Sequence, residues 1–242
     1  MENQAAHNDA SQLASEFKEY AYSVSHDLSA PVRAMVEFSK ILASEHGDII
    51  NPERKEYLTL IVDNGQKLQR MMEGLLQYSR LNTMAKPFTD VDVGLILQDC
   101  KMIMQPEILS SRAEITIGDM PIVYADPDQL KQLFIILLTN AIVYQPEGQT
   151  PKIEISAEEK DAAWEFSIAD NGIGIAPKFH KKIFGIFQRL HTDEEYTGVG
   201  MGLKLAHKIL QRHAGDIWCE SMSNNGTVFH FRLPISPKMI QL

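Results

Sequence analysis

Between residues 17 and 42 the apolar positions fall at Phe17, Ala21, Val24, Leu28, Pro31, Met35, Phe38 and Leu42, in alternating steps of four and three. That spacing puts them on one stripe of an α-helix and marks a seam that packs lengthwise against another helix. The stretch HGDIINPE (residues 46–53) interrupts it, with Asn51 suited to cap a second helix and Pro52 to open it. Leu58, Ile61, Gly65, Leu68, Met72 and Leu75 then resume the spacing to about Leu81, so residues 10–81 predict an antiparallel helical hairpin. Two helices with one wide apolar face rarely bury it alone. A homodimer forming a four-helix bundle is the economical solution, and packing against the rest of the chain is the alternative.

From NTMAKPFTD (residues 82–90) onward the texture changes, which places a linker there and the start of a second domain near residue 86. The pattern predicts a strand over residues 89–93, a helix over 94–109, strands at AEITIGD (113–119) and IVYA (122–125), and a long helix from Asp126 to about Tyr144. Asp126 is suited to cap that helix and Pro127 to occupy its first turn. Strands KIEISAEE and AWEFSIAD come next, then a loop-rich stretch, a helix near 201–213, and two last strands, GDIWCES and GTVFHFRLP. Helices mixed with mostly antiparallel strands predict an α+β two-layer sandwich.

The 242 residues suffice for two modest domains, and 44% hydrophobic content is ordinary for a folded chain. A formal net charge of −9 repels polyphosphate backbones, and no basic patch offsets it, so nucleic acid is not expected as a partner. No apolar run reaches the roughly 18 residues of a membrane span. Cys100 and Cys219 lack metal-ligand spacing and read as core residues. The start, MENQAAHNDASQ, lacks the basic and apolar regions of an export signal, which makes a reducing cytoplasm the expected compartment.

Within YSVSHDLSAPVR (residues 22–33), His26 falls between seam positions and so points outward. A lone outward histidine is ordinarily just solvated. Here Asp27 stands directly after it and can hydrogen-bond one imidazole nitrogen, raising the nucleophilicity of the other. Pro31 removes a backbone hydrogen bond one turn later and bends the axis. An exposed imidazole beside an acid on a weakened helix suits a nucleophile that another domain must reach.

The second domain carries two glycine-rich segments, DNGIGI (170–175) and GVGMGL (198–203). Glycine lets backbone N–H groups approach phosphate oxygens, and the second segment runs into a helix whose N-terminal amides favour anions. Asp170 can accept a hydrogen bond from an exocyclic amine such as that of adenine. Neither segment has the lysine and hydroxyl spacing of a P-loop. Asn140, in LFIILLTNAIVYQ (133–145), is polar within a strongly apolar helix. It reads either as a structural hydrogen-bonding residue or as an oxygen ligand for Mg²⁺, a hard ion that arrives with phosphates.

Together these stretches resemble the transmitter core of two-component sensor histidine kinases, with the GHKL-type ATP-binding fold shared by gyrase, Hsp90 and MutL. SHDLSAPVR is similar to the phosphoacceptor H box, LLTNAIVY to the N box, DNGIGI to the first glycine box, KIFGIFQRL (182–190) to the F box and GVGMGL to the second glycine box. The wording is most similar to phytochrome-type kinases. The resemblance implies a dimerisation and phosphotransfer domain over residues 10–82 and a catalytic ATP-binding (Bergerat-fold) domain over 86–236. It implies that His26 accepts the γ-phosphoryl group of ATP, with Asp27 as general base or orienting acid. Asn140 would hold Mg²⁺, Asp170 would read adenine, and Tyr144 would pack near the base. Gly172, Gly174, Gly198, Gly200 and Gly202 would form the hinges and phosphate cradle of a mobile lid, and Arg189 would meet γ-phosphate charge. The implied partner is the receiver domain of a response regulator.

Three positions depart from the family pattern. Ile136 stands where many members have a first N-box asparagine, and Val143 replaces a common lysine, which implies weaker nucleotide binding. Ala30 stands four residues after His26, where many members carry a Thr or Asn that positions water against phospho-aspartate; alanine cannot do so, which implies weak phosphatase activity. Only about 10 residues precede the hairpin, so the chain is expected to be either an excised piece or a stand-alone transmitter receiving its signal from a sensor or partner in trans. The competing readings are a degenerate kinase acting as scaffold and a non-kinase ATPase of the same fold.

Overall fold

A computed structural model describes residues 28–30, 32–42, 44, 52–81, 83, 85–190, 199–221 and 226–235. The chain divides into two units, Met1–Thr83 and Met84–Leu242. In the first, α1 (residues 28–30 and 32–42) and α2 (Pro52–Arg80) form the hairpin. Seam positions Phe17, Ala21, Val24 and Pro31, and the Asn51 cap, lie outside the described residues.

The buried stripe of α1 is not the predicted seam. Val32 and Val36 are buried, with Ser39 beside them, whereas Leu28, Met35, Phe38 and Leu42 remain 45–67% exposed. At about 100° per residue the two stripes sit side by side, roughly 80° apart around the helix. Val36 meets Gly65 of α2 so closely that a Cβ at Gly65 would collide with its Cγ2. The hairpin therefore closes along Val32, Val36 and Gly65, a seam position of α2, and leaves Leu28, Met35, Phe38 and Leu42 of α1 on its outside.

The second unit is a two-layer α/β sandwich. Its main sheet has the order β2 (Glu114–Ile117), β4 (Lys152–Lys160), β5 (Ala163–Asp170), β7 (Thr227–Pro234) and β6 (Asp216–Ser221); β2 runs parallel to β4 and all other pairs are antiparallel. A separate ribbon pairs β1 (Thr89–Asp92) with β3 (Ile122–Ala125). The helices α3 (Val93–Ile103), α4 (Gln105–Ser111), α5 (Pro127–Val143) and α6 (Gly202–Arg212) complete it. Alternation along β7, with Thr227, Phe229, Phe231 and Leu233 buried, turns one face of the sheet to the helices. Phe134 of α5 meets Phe166 and Phe231 edge-on, at centroid distances of 6.1 and 5.6 Å, and those two stack at 4.7 Å. Such geometries add to the burial of rings that are themselves fully enclosed. Cys100 and Cys219 are buried and unpaired, as expected of core residues, and burial pushes each thiol up to about 11.

The single helix expected over residues 94–109 is two helices. The break comes at Met104, two residues before Pro106, because proline has no N–H to donate and its ring clashes with the carbonyl one turn back. Asp126 caps α5 as expected, its Oδ1 accepting from the N–H groups of Asp128 (3.1 Å) and Gln129 (3.3 Å).

Candidate active site

The apolar face of α5 packs on the sheet, and its last turn carries Asn140 and Tyr144 to the rim of a cavity of about 210 Å³. Asp170, Gly174, Arg189, Gly200 and Gly202 line the same cavity. Stretches far apart in the chain thus converge on one space. His26, Asp27 and Gly198 lie outside the described residues.

Asp170 is the last residue of β5. Its Oδ1 accepts from the N–H of Gly172 (2.8 Å) and of Thr227 (3.2 Å), its partner across the β5–β7 pair. Oδ2 has no partner among the described residues and is left to a ligand. Burial pushes this carboxyl up to about 6, against the opposing effect of the two N–H bonds. A desolvated carboxylate with one committed and one open oxygen is the arrangement that discriminates an amine donor from a carbonyl.

Gly172 does not line the cavity; it lies behind it. A Cβ there would run into the Tyr144 carbonyl oxygen and come within 2.9 Å of Asp170 Oδ1. With no side chain in the way, the next residue, Ile173, donates its N–H to that same Tyr144 carbonyl (3.1 Å). The end of α5 and the end of β5 are joined at this point. Gly200 has φ +73°, and a Cβ on it would stand 2.6 Å from the Gln188 carbonyl oxygen, so both conformation and closeness require glycine. Gly202 opens α6 against α5, where a Cβ would lie 3.2 Å from Ile136 Cγ2. Ile136 thus packs between helices and is not among the lining residues, whereas Val143 is.

Tyr144 is half-buried at the rim; burial raises its hydroxyl, and the nearby Arg189 charge opposes this. The Asn140 side-chain amide has no hydrogen-bond partner among the described residues, although its backbone oxygen accepts from Tyr144 N–H at 3.0 Å. An unspent amide oxygen facing a phosphate-sized space fits Mg²⁺, which takes few protein ligands and completes its shell with phosphates and water. Among the described residues no cluster of three or more His, Cys, Asp or Glu side chains is placed to hold a metal on its own. Nor is any described helix long and apolar enough to cross a membrane.

Sequence reasoning missed three participants. Thr227 binds Asp170 and lines the cavity, but only the β5–β7 register brings it there. Phe229, two residues on, forms part of the apolar wall. Asn171 accepts from Lys152 N–H (2.8 Å) and donates to the Thr150 carbonyl (3.0 Å), bracing the loop after α5. Its place between Asp170 and Gly172 was the available signal.

Residues 18–83 match the His Kinase A (phospho-acceptor) domain, and residues 125–237 match the histidine kinase-, DNA gyrase B- and HSP90-like ATPase family. Cyanobacterial phytochrome A of Nostoc sp. is 38% identical over 232 residues, covering 96% of this chain and 30% of that protein. Phytochrome-like protein Cph1 of Synechocystis sp. is 36% identical over 220 residues, covering 91% of this chain and 29% of that protein. The chain thus spans under a third of the length of these curated relatives. Full-length ShkA, solved in complex with AMPPNP, shares the fold with a TM-score of 0.64 at 24% identity, over 90% of this chain and 46% of that one. By its paired phosphoacceptor and ATPase domains, the chain belongs to the sensor histidine kinases, as a transmitter core.

Proposed function

We propose that this chain is an Mg·ATP-dependent protein-histidine kinase that phosphorylates itself on His26 and passes the phosphoryl group to an aspartate of a response-regulator receiver domain. The observation that carries the reading is the convergence of Asn140, Tyr144, Asp170 and Arg189 on one cavity, with Asp170 Oδ2 and the Asn140 amide both unspent. The catalytic domain is assigned to residues 86–236 and the dimerisation and phosphotransfer domain to 10–82.

In this mechanism Asp170 accepts from the adenine amine and Tyr144 covers the base. Asn140 holds Mg²⁺, which when bound neutralises phosphate charge. Arg189 and the backbone amides of Gly198, Gly200 and Gly202 meet the phosphates, Gly174 shapes the turn beside them, and Gly172 holds Asp170 and Tyr144 in register. A His26 nitrogen attacks the γ-phosphorus, the bond to the β-phosphate oxygen breaks, ADP leaves, and Asp27 orients the imidazole or takes its proton. Positioning and charge neutralisation are the main requirements of phosphoryl transfer. The resulting P–N bond is labile, which suits onward transfer and not storage.

The exposed stripe of Leu28, Met35, Phe38 and Leu42 supports a homodimer through a four-helix bundle. Ala30 is exposed on α1 and offers water no hydrogen bond, which supports weak phosphatase activity toward the regulator. The cytoplasm, with its ATP, is the proposed compartment, and a sensor domain or partner in trans the proposed source of signal.

Incubation with γ-labelled ATP and Mg²⁺ tests the reading. Acid-labile, base-stable label on the protein, lost in His26→Gln, is expected. No label at saturating ATP would instead favour a scaffold, the reading to which Val143 in the cavity wall lends support. Phosphate release without protein label would favour a plain ATPase.

A further inference from the structure

Asp170 does not stand alone at its end of the cavity. Thr227, opposite it in the β5–β7 register, is 5% exposed and lines the same space. A hydroxyl can donate as well as accept, so by itself Thr227 would tolerate either an amino group or a carbonyl in a ligand. Ser221 removes that freedom.

Ser221 ends β6 and pairs with Thr227 across the β6–β7 ladder. Its Oγ lies 2.6 Å from the Gly226 carbonyl oxygen, 2.7 Å from Ile175 N and 3.1 Å from Thr227 Oγ1. The carbonyl can only accept, and the amide can only donate. The single Ser221 proton is therefore spent on Gly226, one lone pair of Oγ receives Ile175 N–H, and the other can only receive Thr227 O–H. Gly226 is itself held: at φ +69° it donates its N–H to the Gly172 carbonyl (3.0 Å), and a Cβ on it would collide with the Asp170 carbonyl oxygen. With its proton turned to Ser221, whatever Thr227 Oγ1 offers the cavity it offers as an acceptor. The neighbouring Asp170 Oδ2 is an unspent acceptor as well.

We infer that Ser221 is a positioning residue for nucleotide selection: by taking the Thr227 proton it leaves the base end of the cavity with acceptors only, which favours an amino group over a carbonyl at the edge of the base. The inference rests on the reading of the cavity as an ATP site. Adenine carries an amino group where hypoxanthine carries a carbonyl, so these two bases differ in the group that the acceptors face. Buried acceptors turned toward a carbonyl oxygen stay unpaired, which is the more costly kind of mismatch.

The test measures Kd for ATP and for ITP with the full chain, by titration calorimetry at about pH 8, where Asp170 is ionised and cannot itself donate. The unmodified chain should prefer ATP. In Ser221→Ala the Thr227 hydroxyl is free to turn and donate to the hypoxanthine carbonyl, so the ratio of the two constants should shrink roughly fivefold, mainly through tighter ITP. Ser221→Thr, which keeps the hydroxyl, should restore the ratio. Ser221→Cys, whose thiol is a weak hydrogen-bond partner of nearly the same size, should shrink the ratio with the packing kept. In Thr227→Val the hydroxyl is gone, and adding Ser221→Ala should then leave the ratio unchanged. Equal weakening of ATP and ITP in Ser221→Ala would make Ser221 a mere brace for the loop at Ile175 and overturn the inference, as would a ratio that still responds to Ser221 in the Thr227→Val background. Binding of neither nucleotide to the unmodified chain would overturn the reading of the cavity and the inference with it. A preference for ATP that ignores Ser221, or no preference between two nucleotides that both bind, would overturn the inference alone.

Discussion

The helical hairpin and the ATPase unit solve the same problem to different degrees. In the ATPase unit the large faces are covered: Phe134, Phe166 and Phe231 are completely buried, and α5 hides seven residues against its neighbours. Among the described residues of the hairpin few are enclosed, Val32, Val36, Ser39, Met72 and Leu81, while Met35, Phe38, Leu60, Ile61 and Leu68 stand 41–67% exposed. A sheet covered by helices can satisfy itself within one chain, whereas two helices cannot enclose a stripe wider than their own contact. One unit carries its stability within itself, and the other reads as half of an assembly.

The contrast breaks most severely if the exposed seam is charged. Met35→Lys with Phe38→Lys puts four buried-side substitutions into a symmetric dimer; at about 1.5–3 kcal/mol for each apolar side chain this costs about 6 kcal/mol or more of association. Sedimentation should show a monomer for this variant and the proposed dimer for the unmodified chain, with the melting of the ATPase unit unchanged. The converse substitution, Phe134→Ala, empties the centre of the aromatic cluster and should cost about 3–5 kcal/mol. Calorimetry should then show the ATPase transition shifted down while the sedimentation of the dimer stays the same.

A smaller effect separates binding from stability at Asp170. Its carboxyl titrates near 6 in the folded chain against an ordinary value of 3.8. With Oδ1 committed to two N–H groups, protonation falls on Oδ2 and turns a strong acceptor into a donor, so ATP affinity should fall as pH drops below about 6, approaching tenfold per pH unit, with no counterpart in dimer affinity. Stability runs the other way. A raised folded value means that the native state binds the proton more tightly, so this residue's contribution is fully present below about pH 4 and is lost as pH rises through 6. Titration calorimetry and thermal melts over pH 5–8 should therefore move in opposite directions, and Asp170→Asn should abolish both dependences.

The smallest effect is a gain. The β4–β5 hairpin turns through Asp161 and Ala162, at φ 51° and 60°, a left-handed pair that asks for glycine at its second position. Ala162→Gly should stabilise the ATPase unit by about 1 kcal/mol, visible as a rise in its melting temperature alone.

Local signals are legible where one segment carries the whole cause. The Asp126 cap and the span of α5 come from a carboxylate and a proline ahead of an apolar run. The break before Pro106 is equally local yet hidden, because the apolar spacing continues across it. The candidate site was legible as a set of residue types, yet not as a division of labour. Gly172 proved to be a spacer behind the cavity, Ile136 a packing residue against Gly202, and Thr227 a partner of Asp170. Each of these depends on a neighbour far off in the sequence.

By itself the sequence determined most of the helical and strand segments, the two-unit order and the chemistry on offer: a histidine followed by an acid, an amide in an apolar helix, and an aspartate ahead of glycines. These come from periodicity and backbone preference, which act over a few residues. Only the tertiary structure decided which stripe of α1 closes the hairpin, which oxygen of Asp170 stays open, and that Arg212 and Phe88 meet at Lys86 across more than a hundred residues. Those outcomes depend on strand register and helix packing, where a shift of one residue would turn each side chain to another face.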